Sequence, residues 1–191
     1  MFRKQIVFLS VAATGLFMSA QPAYSSGECS ASTLNGTYSF SAHGELLGIL
    51  DTSVSPPALS PLTTPIVIDG VALQKFDGAG SFTRTDFLNT NGSPRGGQTA
   101  FNPNQHGTYA VNPDCTGTMH IVYDSGAILD LQMVLANDAR TIKAIISAET
   151  VPSFPTSSGK TCDASTGGCS IGVQVSLDGQ RTHDRDRDRD H

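Results

Sequence analysis

The sequence predicts an all-β fold, a single domain of about eight antiparallel strands stabilised by disulfides, and three observations point to it. Apolar and polar residues alternate with period two through most of the chain, the pattern of strands with one buried face. Glycine, asparagine and aspartate cluster between the alternating runs, where tight hairpins need them. Beyond the first 25 residues, no segment carries apolar side chains at helical spacing over a useful length.

The chain opens with Arg3 and Lys4, an apolar run over residues 6–20, and then Ala23-Tyr24-Ser25, whose small side chains fall where a signal peptidase cuts. Residues 1–25 are read as a secretory signal peptide, 26–180 as the folded domain and 181–191 as a tail. The apolar run of about 15 residues is shorter than the roughly 20 that span a bilayer as a helix. The expectation is therefore export to the periplasm or the exterior, without stable membrane insertion. The exported part keeps ten of the 12 Lys and Arg and all 17 Asp and Glu. That acidic surplus argues against nucleic acid as a partner, because phosphate neutralisation needs the opposite balance.

Taken in order, residues 37–42 open the domain as a strand, and 66–76 and 81–88 form a hairpin across Asp77-Gly78-Ala79-Gly80. Residues 107–111 make a short strand. Residues 116–124 place Met119, Ile121 and Tyr123 on one face, and Asp124-Ser125-Gly126 turns the chain into 127–136. There Leu129, Leu131, Met133 and Leu135 point one way, Asp130 and Gln132 the other. After Asn137-Asp138-Ala139, residues 140–150 put Ile142, Ala144, Ile146 and Ala148 inside and Lys143, Ser147 and Glu149 outside. Ile171, Val173, Val175 and Leu177 close the domain.

Three stretches read as long irregular loops rich in Pro and Gly. Residues 51–65 carry Pro56, Pro57, Pro61 and Pro65, which cannot donate to a ladder; residues 89–104 and 152–168 are the others. In the tail, Arg185, Arg187 and Arg189 alternate with aspartates, a composition expected to stay disordered.

Cys29, Cys115, Cys162 and Cys169 form an even set, which in an exported chain reads as two disulfides. Three pairings are open. Cys162 and Cys169 flank a hexapeptide ending in Gly167-Gly168, a loop able to close on itself, so Cys162 with Cys169 and Cys29 with Cys115 is the expected pairing. The spacing fits no zinc motif, and neither a metal nor a cofactor is expected.

No motif identifies a catalytic group. Gly36-Thr37-Tyr38 and Gly107-Thr108-Tyr109 repeat one short pattern; either the tyrosines share a cavity or the residues simply suit the start of a strand. Ser157-Ser158-Gly159-Lys160 matches Ser-x-x-Lys without the helix or companion motifs that give that pattern meaning. His120 falls on an outer face by parity, Asp130 and Glu149 on polar faces. Asn35-Gly36 and Asn91-Gly92 match the glycosylation sequon and also read as turns.

Cys29 with 34-Leu-Asn-Gly-Thr-Tyr-Ser-Phe-40, then Phe76-Asp77-Gly78-Ala79-Gly80, and the run from Gly107-Thr108-Tyr109 through Cys115 to Thr118 carry a resemblance. The chain resembles a group of bacterial exported domains of unassigned function, similar to calycin-type and allene oxide cyclase-like barrels. The resemblance covers roughly residues 29–149. It implies a single antiparallel up-and-down β-barrel and transfers no catalytic residue. A small barrel is either packed solid or hollow enough for one ligand. The leading expectation is a module that binds a small apolar molecule inside the barrel, with Tyr38, Phe40, Leu129, Leu131 and Met133 as lining residues. The alternatives are a solid barrel acting through its loops, and a cyclase or isomerase working in the cavity.

Overall fold

In the computed structural model, residues 29–163, 165 and 167–182 are described. The expected signal peptide and the Arg/Asp repeat of the tail lie outside them. Among the described residues there are two short 3-10 turns, Ala31–Thr33 before the first strand and Arg95–Gly97 between the fourth and fifth, and eleven strands: β1 (Asn35–Asp51), β2 (Ala58–Asp77), β3 (Ser81–Thr90), β4 (Ser93–Pro94), β5 (Asn102–Val111), β6 (Thr116–Val122), β7 (Ile128–Ala136), β8 (Thr141–Val151), β9 (Phe154–Ser157), β10 (Lys160–Cys162) and β11 (Cys169–Arg181). Eight of them form a meander in which each long strand pairs antiparallel with the next, from β1 through β2, β3, β5, β6, β7 and β8 to β11. β11 returns to pair with β1, which makes the sheet a barrel-like ring. Each of these strands buries alternate side chains inside the ring, as the period-two pattern requires.

Three features differ from the sequence reading. The Pro-rich stretch 51–65 is largely strand: residues 58–61 pair with 48–51, and the two hairpin arms run past the ring. The prolines are accommodated at the tip and in a wide irregularity, where Leu46 pairs with Ile66 but Gly48 pairs with Pro61. Residues 62–65 thus owe β1 no hydrogen bond, and Pro65 sits there without breaking the ladder. The second loop region contains β4 and a 3-10 turn, and the third contains the β9–β10 hairpin. Asn35-Gly36 lies within β1, paired with Asp77 and Phe76, and is no turn; Asn91-Gly92, both at positive φ, does turn β3 into β4.

The third difference is a one-residue bulge in β8. Leu131 pairs with Ile146 and Asp130 with Ala148, leaving Ser147 unmatched. Its hydroxyl donates to the Asp130 carbonyl at 3.0 Å. Beyond the bulge the parity of the strand is inverted, so Ala148 faces out and Glu149 faces in, only 3% exposed.

One end of the ring is closed by aromatic rings. Phe76 receives Tyr38 and Tyr109 edge-on, at centroid distances of 5.3 and 5.0 Å, and Phe82 at 5.5 Å. The Tyr38 hydroxyl donates to the Ala139 carbonyl in the β7–β8 turn. That of Tyr109 lies 2.9 Å from the carbonyls of Ala31 and Leu34 in the N-terminal turn. The repeated Gly-Thr-Tyr motif therefore supplies two posts of one plug. Cys29 bonded to Cys115, with Cα atoms 5.0 Å apart, fastens the N-terminal segment over the same end. Cys162 and Cys169 pair across 5.8 Å at the opposite end, and both pairings are those expected. Such bonds are consistent with an oxidising compartment.

Candidate functional site

The open end of the ring is polar. On β3, Phe82 and Leu88 face inward, and the intervening residues of the same parity, Arg84 and Asp86, must do so too. Register then sets Gln74 of β2, Arg84 and Gln105 of β5 side by side in one transverse row. All are buried: Gln74 is 0%, Arg84 3%, Asp86 1% and Gln105 2% exposed.

Arg84 is partly provided for, since its Nε and the Asp86 Oδ2 that it faces make no hydrogen bond. Its Nη1 donates to Gln74 Oε1 at 3.1 Å, its Nε stands 3.6 Å from Asp86 Oδ2, and its guanidinium carbon lies 5.9 Å from the Phe40 ring centroid, within cation–π reach. Gln105 is poorer still: neither its amide nitrogen nor its oxygen makes a hydrogen bond of good geometry, although the amide stands close enough to Asp86 to favour that carboxylate. Leaving a buried polar atom unpaired costs about 1 to 3 kcal/mol, so such groups call for an explanation. Burial raises the pKa of Asp86 against the opposing pull of Arg84. Burial also raises that of Tyr123, with Arg84 and then Arg95 opposing it.

The loop after β4 folds over this end. Asp86 already pairs with Asn102 near the start of β5, so the backbone of β3 beyond it lacks a neighbour there. Gln98 stands in for one: its Oε1 accepts from the Leu88 N–H at 3.1 Å and its Nε2 donates to the Asp86 carbonyl at 3.2 Å. The tether carries the Arg95–Gly97 turn to the mouth and leaves Arg95 half-buried.

Two spaces result. A pocket of about 390 Å³ opens at the mouth, bordered by Asp86, Arg95, Gln105, Tyr123 and Asp124 and by the apolar Leu88, Ala127 and Val151. Beneath it lies a cavity of about 30 Å³ in the interior, bordered by Leu129, Ile146, Glu149 and Arg84. Leu88, Arg95 and Tyr123 touch both and form the partition. Glu149 reaches the inner cavity through the bulge; burial raises its pKa, and Arg95 pulls the other way.

Of the five residues expected to line a ligand cavity, Tyr38, Phe40, Leu131 and Met133 are packed in the core at 3% exposure or less, and Leu129 alone borders the inner cavity. Asp130 faces out, paired at 2.7 Å with His120, its neighbour across β6–β7; His43 and Asp69 repeat that arrangement across β1–β2. The Ser-x-x-Lys match is a hairpin: Ser157 donates to the Ser60 carbonyl at 2.6 Å and Lys160 holds Asp51 at 2.6 Å, tying β9–β10 to the β1–β2 arms. In the Asp77 turn the carboxylate accepts the N–H groups of Ala79 and Ser81.

Strand parity alone could have found Arg84, Asp86 and Gln74, since each lies two residues from a large apolar neighbour on its own strand, whereas Gln105 has Pro103 and Gly107 at that spacing. Glu149 carried no such signal. Outside the ring, exposed Val71, Leu73 and Phe101 border an apolar depression of about 500 Å³. Among the described residues no group of three or more His, Cys, Asp or Glu could hold a metal ion, and no helix is long and apolar enough to cross a membrane. The chain matches no protein-family model and no curated protein.

Proposed function

We propose that the protein is an exported binding module, of the calycin-like kind its sequence resembles, that holds a small molecule at the open mouth of the ring. The observation that carries this reading is Gln105, fully buried, bordering a pocket of about 390 Å³ with neither amide atom in a hydrogen bond of good geometry. That volume falls within the range of small-molecule sites, roughly 300 to 1,000 Å³. The inner cavity, at about 30 Å³, has room for a water molecule or two and not for an organic ligand. The apolar ligand anticipated from the sequence is therefore moved outward: its apolar part rests on Leu88, Ala127 and Val151, and its polar part satisfies Gln105.

The test is native mass spectrometry of the protein taken from its host's exported fraction, with Gln105→Leu alongside. A reproducible adduct on the wild type that the variant loses, while its melting temperature holds or rises, is the expected result. No adduct on either protein overturns the reading. A second reading, a solid ring that acts through surface contacts, is favoured by the apolar depression around Val71, Leu73 and Phe101. It predicts no adduct and an unchanged Gln105→Leu protein.

A further inference from the structure

We propose that Arg95 anchors a carboxylate group of the mouth ligand, so that the class of molecule received is a small organic carboxylate. The inference rests on the mouth-binding reading and adds the ligand's chemistry. Among the described residues, Arg95 is the one cation bordering the mouth pocket. Of the other basic groups in the described chain, Arg84 has Gln74 and Asp86, Lys143 has Asp178, Lys160 has Asp51, and Arg181 donates to the Asn35 carbonyl, while Lys75 and Arg140 stand exposed to solvent away from the pocket. For Arg95, half-buried, the structure records neither an ion pair within 4.0 Å nor a side-chain hydrogen bond among the described residues.

The acids around the pocket are already engaged. Asp86 faces Arg84 at 3.6 Å, and Asp124 accepts the side-chain amides of Asn102 and Asn104 at 3.0 to 3.3 Å. Glu149 is the acid that acts on Arg95 from below, across the inner cavity that both border. The pocket thus offers a free guanidinium fork and an amide without a well-formed hydrogen bond, with its carboxylates otherwise occupied. A planar fork matches a carboxylate through two parallel charge-assisted hydrogen bonds, the strongest such pairing a side chain offers. The Gln105 amide adds a neutral donor from the buried wall. Gly96 and Gly97, at positive φ with open space where side chains would be, turn the chain so that Arg95 is presented on an exposed loop. Arg95 also borders the inner cavity, so Arg95→Lys, which keeps the charge, serves as the control for a structural effect of its replacement.

Calorimetric titration of the mature protein with benzoate and hexanoate, and with benzamide and hexanamide as uncharged counterparts, tests the assignment. Wild type is expected to bind the acids at least about tenfold more tightly than the amides, the scale of a charge-assisted pair. Arg95→Gln should bring acids down to the level of amides while leaving amide binding as it is in wild type, and Arg95→Lys should keep part of the preference. Inorganic phosphate binding as well as the acids would overturn the carboxylate class. Equal binding of acids and amides, or acid binding unaffected in Arg95→Gln, overturns the anchor and leaves the mouth reading standing. No binding of any of the four overturns the anchor; it overturns mouth binding too only if native mass spectrometry also finds no adduct.

Discussion

Glu149 lies beside Leu129, its partner across the β7–β8 ladder, on the inner face of the ring because Ser147, two residues earlier, has no partner on β7. A single extra residue thus adds an ionisable group to the interior, on the inner cavity that Arg84 also borders. Glu149→Gln keeps the shape and removes the charge. The folded-state pKa of Glu149 is raised, so the native chain holds that proton more tightly than the unfolded one. Its contribution to stability is fully present below the ordinary value of 4.5 and declines as pH rises through the folded value. The variant should therefore be more stable than wild type at neutral pH and equal to it in acid. Urea unfolding at several pH values checks both.

Removing the bulge's tether is a separate matter. Ser147→Ala loses one hydrogen bond on the exposed surface, a cost of about 0.5 to 1.5 kcal/mol. Deletion of Ser147 would straighten the β7–β8 ladder and turn Glu149 outward. Hydrogen exchange of the β8 amides distinguishes a loosened bulge from an inverted strand.

The wild-type pH profile has two limbs of opposite sign. Asp51, held by Lys160 and Ser53, and Asp77 and Asp114, held by backbone and hydroxyl donors, all have lowered pKa values. Their stabilisation is present above the ordinary 3.8 and is lost as pH falls through the folded values. Asp86 and Glu149 act oppositely and withdraw stability as pH rises above 3.8 and 4.5. Melting temperature should peak on the acid side of neutrality, at about pH 4 to 5, and Asp86→Asn with Glu149→Gln should flatten the neutral limb alone.

The closed end is the place where core substitutions cost most. Phe76 is 1% exposed and touches three rings, so Phe76→Ala should cost about 3 to 5 kcal/mol. Tyr109→Phe keeps the edge-on packing and loses the hydroxyl shared by the Ala31 and Leu34 carbonyls, a change of about 1 to 3 kcal/mol. Gly107→Ala, on the same strand, would place a methyl 2.0 Å from the His120 carbonyl and 2.4 Å from the Phe82 ring. Thermal unfolding should rank it as disruptive as the aromatic truncation.

The disulfides are unequal in reach, with sequence separations of 86 and 7. On chain-entropy grounds, Cys29→Ala with Cys115→Ala should cost about 4 to 5 kcal/mol, and the Cys162 and Cys169 pair about 2 to 3. The short bridge belongs to the β9–β10 segment, so its loss should show in proteolysis near residues 154–168 before it shows in the melting temperature. Denaturant unfolding of the two double variants measures both.

Much of this architecture was legible in the chain. The alternation in Leu129, Leu131, Met133 and Leu135 needs only the pleat of a strand, and the glycine turns need only local backbone geometry, so both could be read from neighbours in sequence. The cysteine pairing was legible as well, because a hexapeptide loop closes by itself and leaves one other choice. The prolines of residues 51–65 were misread because a long hairpin beyond the ring can skip a ladder hydrogen bond that a central strand cannot. Parity also held the burial of Arg84 and Asp86, but charged residues default to solvent until the strands on either side enclose them.

The sequence by itself determined an all-β chain of about eight strands with two defined cysteine pairs, because period, turn chemistry and loop closure are local properties. The tertiary structure alone decided which end is closed by Tyr38, Phe76 and Tyr109, that the interior is nearly filled, and that Glu149 points inward. It also decided that Arg95 and Gln105 border one pocket. Each of these depends on register between strands far apart in sequence, and a one-residue slip in register exchanges the two faces of a strand.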